Sequence, residues 1–200
     1  MKIAIMGAGN VGATLARSWA ASGHEILISF SRDGEKLRSL AAEVGGTAGP
    51  PAEIAAEADV IVLAVPYGSI DLVHGALGRL DGRVVIDATN PIGLAVVGSA
   101  AEEIAARTGA HVVKAFNTVF ASVMAQAPTR HGLATMLYAG DDLPAKQVVA
   151  TLVRDAGFDP IDAGVLERAR ELEAYARLVI GIAMGGRGPF AYRFASLDEL

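Results

Sequence analysis

The sequence predicts an α/β protein with a doubly wound, mostly parallel sheet and a short C-terminal helical appendage. Three observations carry that expectation. Short apolar strands alternate with helical patterns along most of the chain, which is the arrangement that βαβ units produce. Strands such as DVIVLAV at 59–65 have almost no polar position, as strands covered on both faces do. Directly between the first strand and the first helix stands Gly7-Ala8-Gly9-Asn10-Val11-Gly12, a G-x-G-x-x-G run.

In chain order, Lys2 to Met6 (KIAIM) reads as a strand and Asn10 to Ser22 as a helix. Glu25 to Phe30 is a second strand, followed by the pair Ser31-Arg32. Glu35 to Val44 is helical, Pro51 to Glu57 a short helix, Asp59 to Val65 a strand, Ile70 to Leu80 a helix and Gly82 to Asp87 (GRVVID) a strand. A helix over Ser99 to Arg107, a strand over His111 to Ala115 (HVVKA), a short helix from Thr118 and a strand over Ala134 to Ala139 come next. Leu143 to Ala156 is helical and Asp159 to Ile161 extended. Asp162 to Gly164 marks a break, after which Val165 to Met184 is expected as one long helix. Its Leu172, Tyr175, Ala176, Val179 and Ile180 recur at helical spacing and form one broad apolar face. The mixed run ERARELE at 167–173 reads as a solvated helix surface.

Composition sets the outer limits. At 200 residues the chain can bury one sizeable α/β core, and it is too short for a cofactor domain plus a large helical substrate domain. Hydrophobic residues make up 52% and charged residues 20%, and the mean hydropathy of +0.40 suits a sheet covered on both faces. No apolar run reaches the ~18 residues needed to cross a bilayer. The first strand is expected to start at Lys2, and no cleavable leader is expected before it. The chain has no Cys, so neither disulfides nor thiolate metal sites can form. A cytoplasmic protein with no metal site and no membrane association is expected. The formal charge of -5 argues against a nucleic-acid partner.

The glycine run has a physical reading in its position after a strand. Gly7 allows the tight turn, Gly9 lets a pyrophosphate approach the backbone, and Gly12 lets the helix pack close to the strand. The helix start, with Asn10 and Val11, then offers free N–H groups and a partial positive charge to phosphates. This is the cofactor turn of a Rossmann-type fold. In the NAD form of that fold a carboxylate about 20 residues further on binds the ribose hydroxyls and would repel a 2′-phosphate. Here Ser31 and Arg32 stand at that place, and the first carboxylate is Asp33, past the Arg. A guanidinium fork suits a phosphate, the Ser31 hydroxyl can donate another bond, and Lys36 adds charge one helical turn on. The site therefore favours NADP(H). On the plainer alternative, Arg32 is a surface charge and Asp33 caps the next helix.

Three further strand ends should line the same crevice. They are Val65-Pro66-Tyr67-Gly68, Asp87-Ala88-Thr89-Asn90-Pro91 and Lys114-Ala115-Phe116-Asn117-Thr118. Val65, Pro66, Tyr67, Asn90, Pro91, Asn117 and Thr118 are the candidate contacts along the cofactor from ribose to nicotinamide. Asn90-Pro91 as an ordinary turn, and Asn117 or Thr118 as a helix cap, remain open alternatives.

GAGNVG, SRD after the second strand, VIDATNP, VKAFNT and the final GRGPFAYRF together resemble the NADP-dependent reductases of the deazaflavin coenzyme F420. They also resemble the related cytosolic nucleotide-binding domain of the membrane ferric reductases called STEAP. The similarity covers nearly the whole chain. It implies hydride transfer between the nicotinamide and a flavin-like ring stacked against it, with the Ser-Arg pair holding the 2′-phosphate. Coenzyme F420 or a flavin is the small-molecule acceptor that the resemblance suggests. The expected organisation is an NADP-binding Rossmann domain over 1–163, and a C-terminal helix and tail over 164–200 that complete the acceptor site or a homodimer interface.

No catalytic residue is assigned. His24, His74 and His111 fall away from the crevice, and only His131 is a candidate neighbour of it. Hydride transfer between stacked rings needs registration and exclusion of water more than an acid or base. In the tail, Phe190, Tyr192 and Phe194 alternate after a glycine-rich turn, a surface for a flat ring or for packing on a second subunit. Two other readings stand beside a deazaflavin or flavin reductase: an NADP-dependent reductase of a small carbonyl or imine, and a non-catalytic NADPH-binding sensor.

Overall fold

The structure is a computed structural model and describes residues 1–31, 33–94, 96–127 and 134–197. Its strands are β1 (Lys2–Met6), β2 (Glu25–Ser29), β3 (Thr47–Ala48), β4 (Val60–Leu63), β5 (Val84–Asp87), β6 (His111–Lys114), β7 (Thr135–Gly140) and β8 (Asp159–Asp162). The helices are α1 (Asn10–Ala21), α2 (Gly34–Glu43), α3 (Pro51–Glu57), α4 (Ile70–Leu77), α5 (Ala100–Thr108), α6 (Ala121–Met124), α7 (Leu143–Asp155) and α8 (Ala169–Ile182). One eight-stranded sheet has the order β3-β2-β1-β4-β5-β6-β7-β8. Among the described residues, only the β6–β7 pairing is antiparallel. The fold is therefore the doubly wound α/β class that the alternating pattern predicts.

Alternation of side chains along each strand divides the core into two layers. Ile3, Ile5, Ile28, Val62, Ile86 and Val113 belong to one, with Trp19 of α1 and Leu152 and Val153 of α7. Ala4, Met6, Leu27, Ile61, Leu63, Val85 and Val112 belong to the other, with Ile54, Val73, Ile104 and Ala169 of the helices on that face. Trp19 is fully buried and donates its indole N–H to the Leu152 carbonyl at 2.8 Å. That bond ties α1 to α7 across the first layer.

Register places the site. Met6 pairs with Ser29 on one side and Leu63 on the other, Leu63 with Asp87, and Asp87 with Lys114. The last residues of β1, β2, β4, β5 and β6 thus share one row. Every loop leaving that row starts from the same edge, and strand order reverses between β1 and β4. Ligand crevices of open parallel sheets form at that edge and reversal.

Several boundaries differ from the sequence reading, each for a local reason. β3 has only two residues at the sheet edge, too few for a pattern to announce. The helix expected to run to Leu80 ends at Leu77, because Gly78 turns out with φ +66°. The single helix expected over 165–184 is instead a 3-10 turn at Leu166–Arg168, then α8, then a wide turn over Ala183–Arg187 that contains Gly186 at φ +109°. Leu172, Ala176 and Val179 are buried and Tyr175 and Ile180 half-buried, as the apolar face requires. Glu173, read as part of a solvated surface, is 2% exposed. The reason is a buried lysine beneath it, described below.

Candidate functional site

Two of the three demands made of the glycine turn, the tight turn at Gly7 and the close packing at Gly12, are met by its backbone. Gly7 has φ +122°, and a Cβ there would stand 2.5 Å from the Ala64 carbonyl oxygen at the end of β4. A Cβ on Gly12 would overlap the Gly7 carbonyl oxygen, so α1 can sit this close to the turn only without one. Gly9 differs: a Cβ would meet nothing within 4 Å. The space above Gly9 is open. Gly9 caps α1 without a side-chain bond, and the first turn has no acidic residue. The amides of Asn10, Val11 and Gly12 thus face that space as the unpaired donors of a helix start.

At the end of β2, Phe30 adopts φ +62° and half-buried Ser31 follows it. The Ser31 hydroxyl accepts from the Asp33 N–H at 3.1 Å. Asp33 caps α2 and accepts from the Glu35 and Lys36 N–H groups, both at 3.0 Å. Its carboxylate is committed to the helix, and Lys36 stands exposed on the first turn of α2. Arg32 lies outside the described residues, as does His131.

After β4, Val65 is buried and Pro66 exposed at the start of a 3-10 turn over Tyr67–Ser69. The Tyr67 ring belongs to the second core layer, and its hydroxyl donates to Glu103 on α5. Burial and the neighbouring carboxylate push that phenol well above its ordinary range. Tyr67 therefore offers the crevice its backbone, while its side chain serves the helix layer.

The loops after β5 and β6 are clamped together. The Asn90 amide donates to the Asn117 carbonyl at 2.7 Å, and the Asn117 amide donates to Asn90 Oδ1 at 3.0 Å. Pro91, next in the chain, is buried. Phe116 adopts φ +60° and is 1% exposed, its ring edge-on to Trp19 at 5.5 Å. A residue held in that region is strained, and packing on Trp19 holds it. Among the described residues, Ser18 Oγ, His74 Nε2, Thr89 Oγ1 and Asn117 Oδ1 are buried without a hydrogen-bond partner, and the last two stand on adjacent strand ends. Buried polar atoms are rarely left so, and the two on the strand ends suit the polar carboxamide of a nicotinamide.

The tail closes this end. The Thr118 and Tyr192 hydroxyls lie 2.6 Å apart. The Tyr192 carbonyl accepts from the Thr135 N–H at 2.9 Å, and the Thr135 hydroxyl accepts from the Phe194 N–H at 2.9 Å. Tyr192 packs edge-on against Tyr175 and Phe194, and burial raises its pKa far above the ordinary phenol value. Between α6 and the tail runs a groove of about 260 Å³ whose walls include Val123, Pro189 and Phe190.

One constellation escaped the sequence reading. Lys114, Asp87 and Glu173 meet with none more than 2% exposed, and the lysine Nζ is 2.8 Å from each carboxylate. Its signal was visible in outline: two adjacent apolar strands, VVID and HVVK, end in opposite charges. Glu173 had no such signal, because it sits in a run of mixed charge. His24 pairs with Asp155 at 3.0 Å and His111 with Asp142 at 3.7 Å, both far from the carboxyl ends of the parallel strands. Among the described residues no group of three His, Cys, Asp or Glu could hold a metal, and no helix is long and apolar enough to cross a membrane.

Residues 2–91 match the sequence family described as NADP oxidoreductase, coenzyme F420-dependent. An F420-dependent NADP reductase of Methanothermobacter marburgensis is 34% identical, over 94% of both chains. The metalloreductase STEAP3 of Rattus norvegicus is 32% identical over 86% of this chain, which spans 36% of that longer protein. A solved structure from Arthrobacter sp. FB24, provisionally assigned as an F420-dependent NADP reductase, superposes with a TM-score of 0.85 at 30% identity, over 98% of this chain and all of the other. The glycine turn, the level strand ends and these likenesses agree, and the chain belongs to the family of F420-dependent NADP oxidoreductases.

Proposed function

We propose that this protein transfers a hydride between NADP(H) and coenzyme F420, a small-molecule acceptor. The reading rests on the crevice along the level strand ends, with open space at Gly9 and unpartnered buried oxygens on Thr89 and Asn117. Gly7, Gly9, Asn10, Val11 and Gly12 would hold the pyrophosphate on the amides of α1. Ser31, Arg32 and Lys36 would take the 2′-phosphate. The backbone of Val65, Pro66 and Tyr67 and the clamp of Asn90, Pro91, Asn117 and Thr118 would take the nicotinamide half.

When bound, the reduced nicotinamide supplies the hydride, and the deazaflavin ring accepts it. The protein's own part is to hold two flat rings in register and to keep water out. Tyr192, anchored on Thr118, leads the tail back over this end of the sheet. The groove beside α6 supports the presence of a second ligand, which a sensor would not need. Names of the relatives favour F420 over a flavin as that ligand.

We place the reaction in the cytoplasm, in a homodimer joined through the outer face of α8, where Leu178 and Ile182 stay exposed with Met184 beyond them. Steady-state oxidation of NADPH by the purified protein, with F420, FMN, FAD and riboflavin in parallel and NADH as control donor, tests the reading. Saturable turnover with F420 supports it. Turnover with a flavin alone overturns the acceptor, and NADPH binding without turnover favours a sensor.

A further inference from the structure

The charged cluster beneath the nicotinamide loops has a geometry that packing alone does not require. Lys114 Nζ has three hydrogens and meets three acceptors: Asp87 Oδ2 at 2.8 Å, the Thr89 carbonyl at 2.7 Å and Glu173 Oε1 at 2.8 Å. Asp87 Oδ1 accepts from the Thr89 N–H at 2.9 Å. Both backbone polar groups of Thr89 therefore end on the cluster. Thr89 is the residue before Asn90, and Asn90 is cross-bonded to Asn117. The oxygens left unpartnered at this end, Thr89 Oγ1 and Asn117 Oδ1, belong to the residues whose backbone the cluster and the clamp fix.

The far side of the cluster is anchored outside the crevice. Glu173 Oε1 also accepts from the Ala100 N–H at the start of α5, at 2.9 Å. Glu173 itself is carried by α8. Taking two carboxylates and an ammonium out of water is expensive, and apolar residues of similar volume would fill such a space at least as stably. What the charges supply is a fixed Thr89 peptide.

We propose that Asp87, Lys114 and Glu173 are positioning residues that set the Thr89 hydroxyl and the Asn90–Asn117 clamp for the nicotinamide end of the cofactor. The proposal rests on the NADP(H) reading. It assigns no proton transfer and no contact with substrate to the three residues themselves, since all are sealed from the crevice.

A binding split tests it. One probe is NADPH. The other is 2′-phospho-ADP-ribose, which keeps the adenosine, the 2′-phosphate, the pyrophosphate and the second ribose and lacks only the nicotinamide ring. The variant Asp87→Asn/Lys114→Met/Glu173→Gln carries no buried charge. It should fold with a melting temperature close to the parent's, bind NADPH about ten-fold more weakly, and bind 2′-phospho-ADP-ribose as the parent does. Unchanged NADPH affinity, or equal weakening of both ligands, would overturn the proposal. If that variant does not fold, Thr89→Val keeps the cluster and removes the hydroxyl, and the same split is expected. Native affinity for both ligands in Thr89→Val would overturn it equally. A parent protein that binds neither ligand would instead bring down the NADP(H) reading and the proposal with it.

Discussion

The Lys114 ammonium lies 2.8 Å from the Asp87 carboxylate, and the two residues face each other in register at the ends of adjacent parallel strands, fully buried. An ion pair at this depth is costly to form and more costly to break on one side. It lies at the edge where five strands end level, sealed beneath the loops that leave that edge.

The glycine turn separates fold from binding. Gly9→Val should leave the melting temperature nearly unchanged, because a Cβ there meets nothing within 4 Å, and should abolish NADPH binding by filling the phosphate's place. Gly12→Ala should instead destabilise the protein by about 2 kcal/mol or more, since its Cβ overlaps the Gly7 carbonyl. Thermal unfolding and fluorescence titration read the two effects. Intact NADPH binding in Gly9→Val would reduce the motif to a structural turn.

Arg32 is expected to discriminate cofactors. Arg32→Ala should weaken NADPH binding by ~1.5 to 3 kcal/mol, the contribution of a charge-assisted pair, and leave NADH nearly unaffected. Equal losses for both, measured by titration, would remove the 2′-phosphate assignment.

Glu173 should leave a mark on stability against pH. Burial raises its carboxyl above the ordinary 4.5, outweighing the attraction of Lys114. The folded protein then holds that proton more tightly than the unfolded chain does. Stability from this group is complete below the unfolded value and is lost as pH rises through the folded one. Thermal unfolding across that interval should show Glu173→Gln gaining on the parent as pH rises, by about 1.4 kcal/mol for each unit of the shift. A parent that gains on the variant instead would mean that the pairing with Lys114 dominates.

The outer face of α8 carries the dimer proposal. Leu178 is 57% exposed there, and Leu178→Glu should halve the mass seen in sedimentation while leaving the fold intact. A parent that sediments as a monomer would overturn the proposal.

Much of this was legible in the sequence, and the limits have physical causes. The Gly7–Gly12 turn and the strand ends at Asn90 and Asn117 could be read because backbone conformation and chain order dictate them locally. β3 could not, because two residues make no period. The Asp87–Lys114–Glu173 cluster joins positions 27 and 59 residues apart in sequence, and only the register of β5 with β6 and the docking of α8 bring them together. Glu173 was misread as solvated because the run around it has mixed charge, and a helical pattern cannot show which charge has a buried partner. Tyr67 was placed in the right loop, but its ring turns toward Glu103, a choice fixed by the helix layer.

The proposed function stands or falls on direct hydride transfer between NADPH and F420. The most direct test is a single turnover with NADPH carrying deuterium at C4 of the nicotinamide, each face labelled in turn, followed by mass analysis of the reduced deazaflavin. The label from one face is expected in the F420 product. Absence of reduction, or reduced F420 without label from either face, would contradict it.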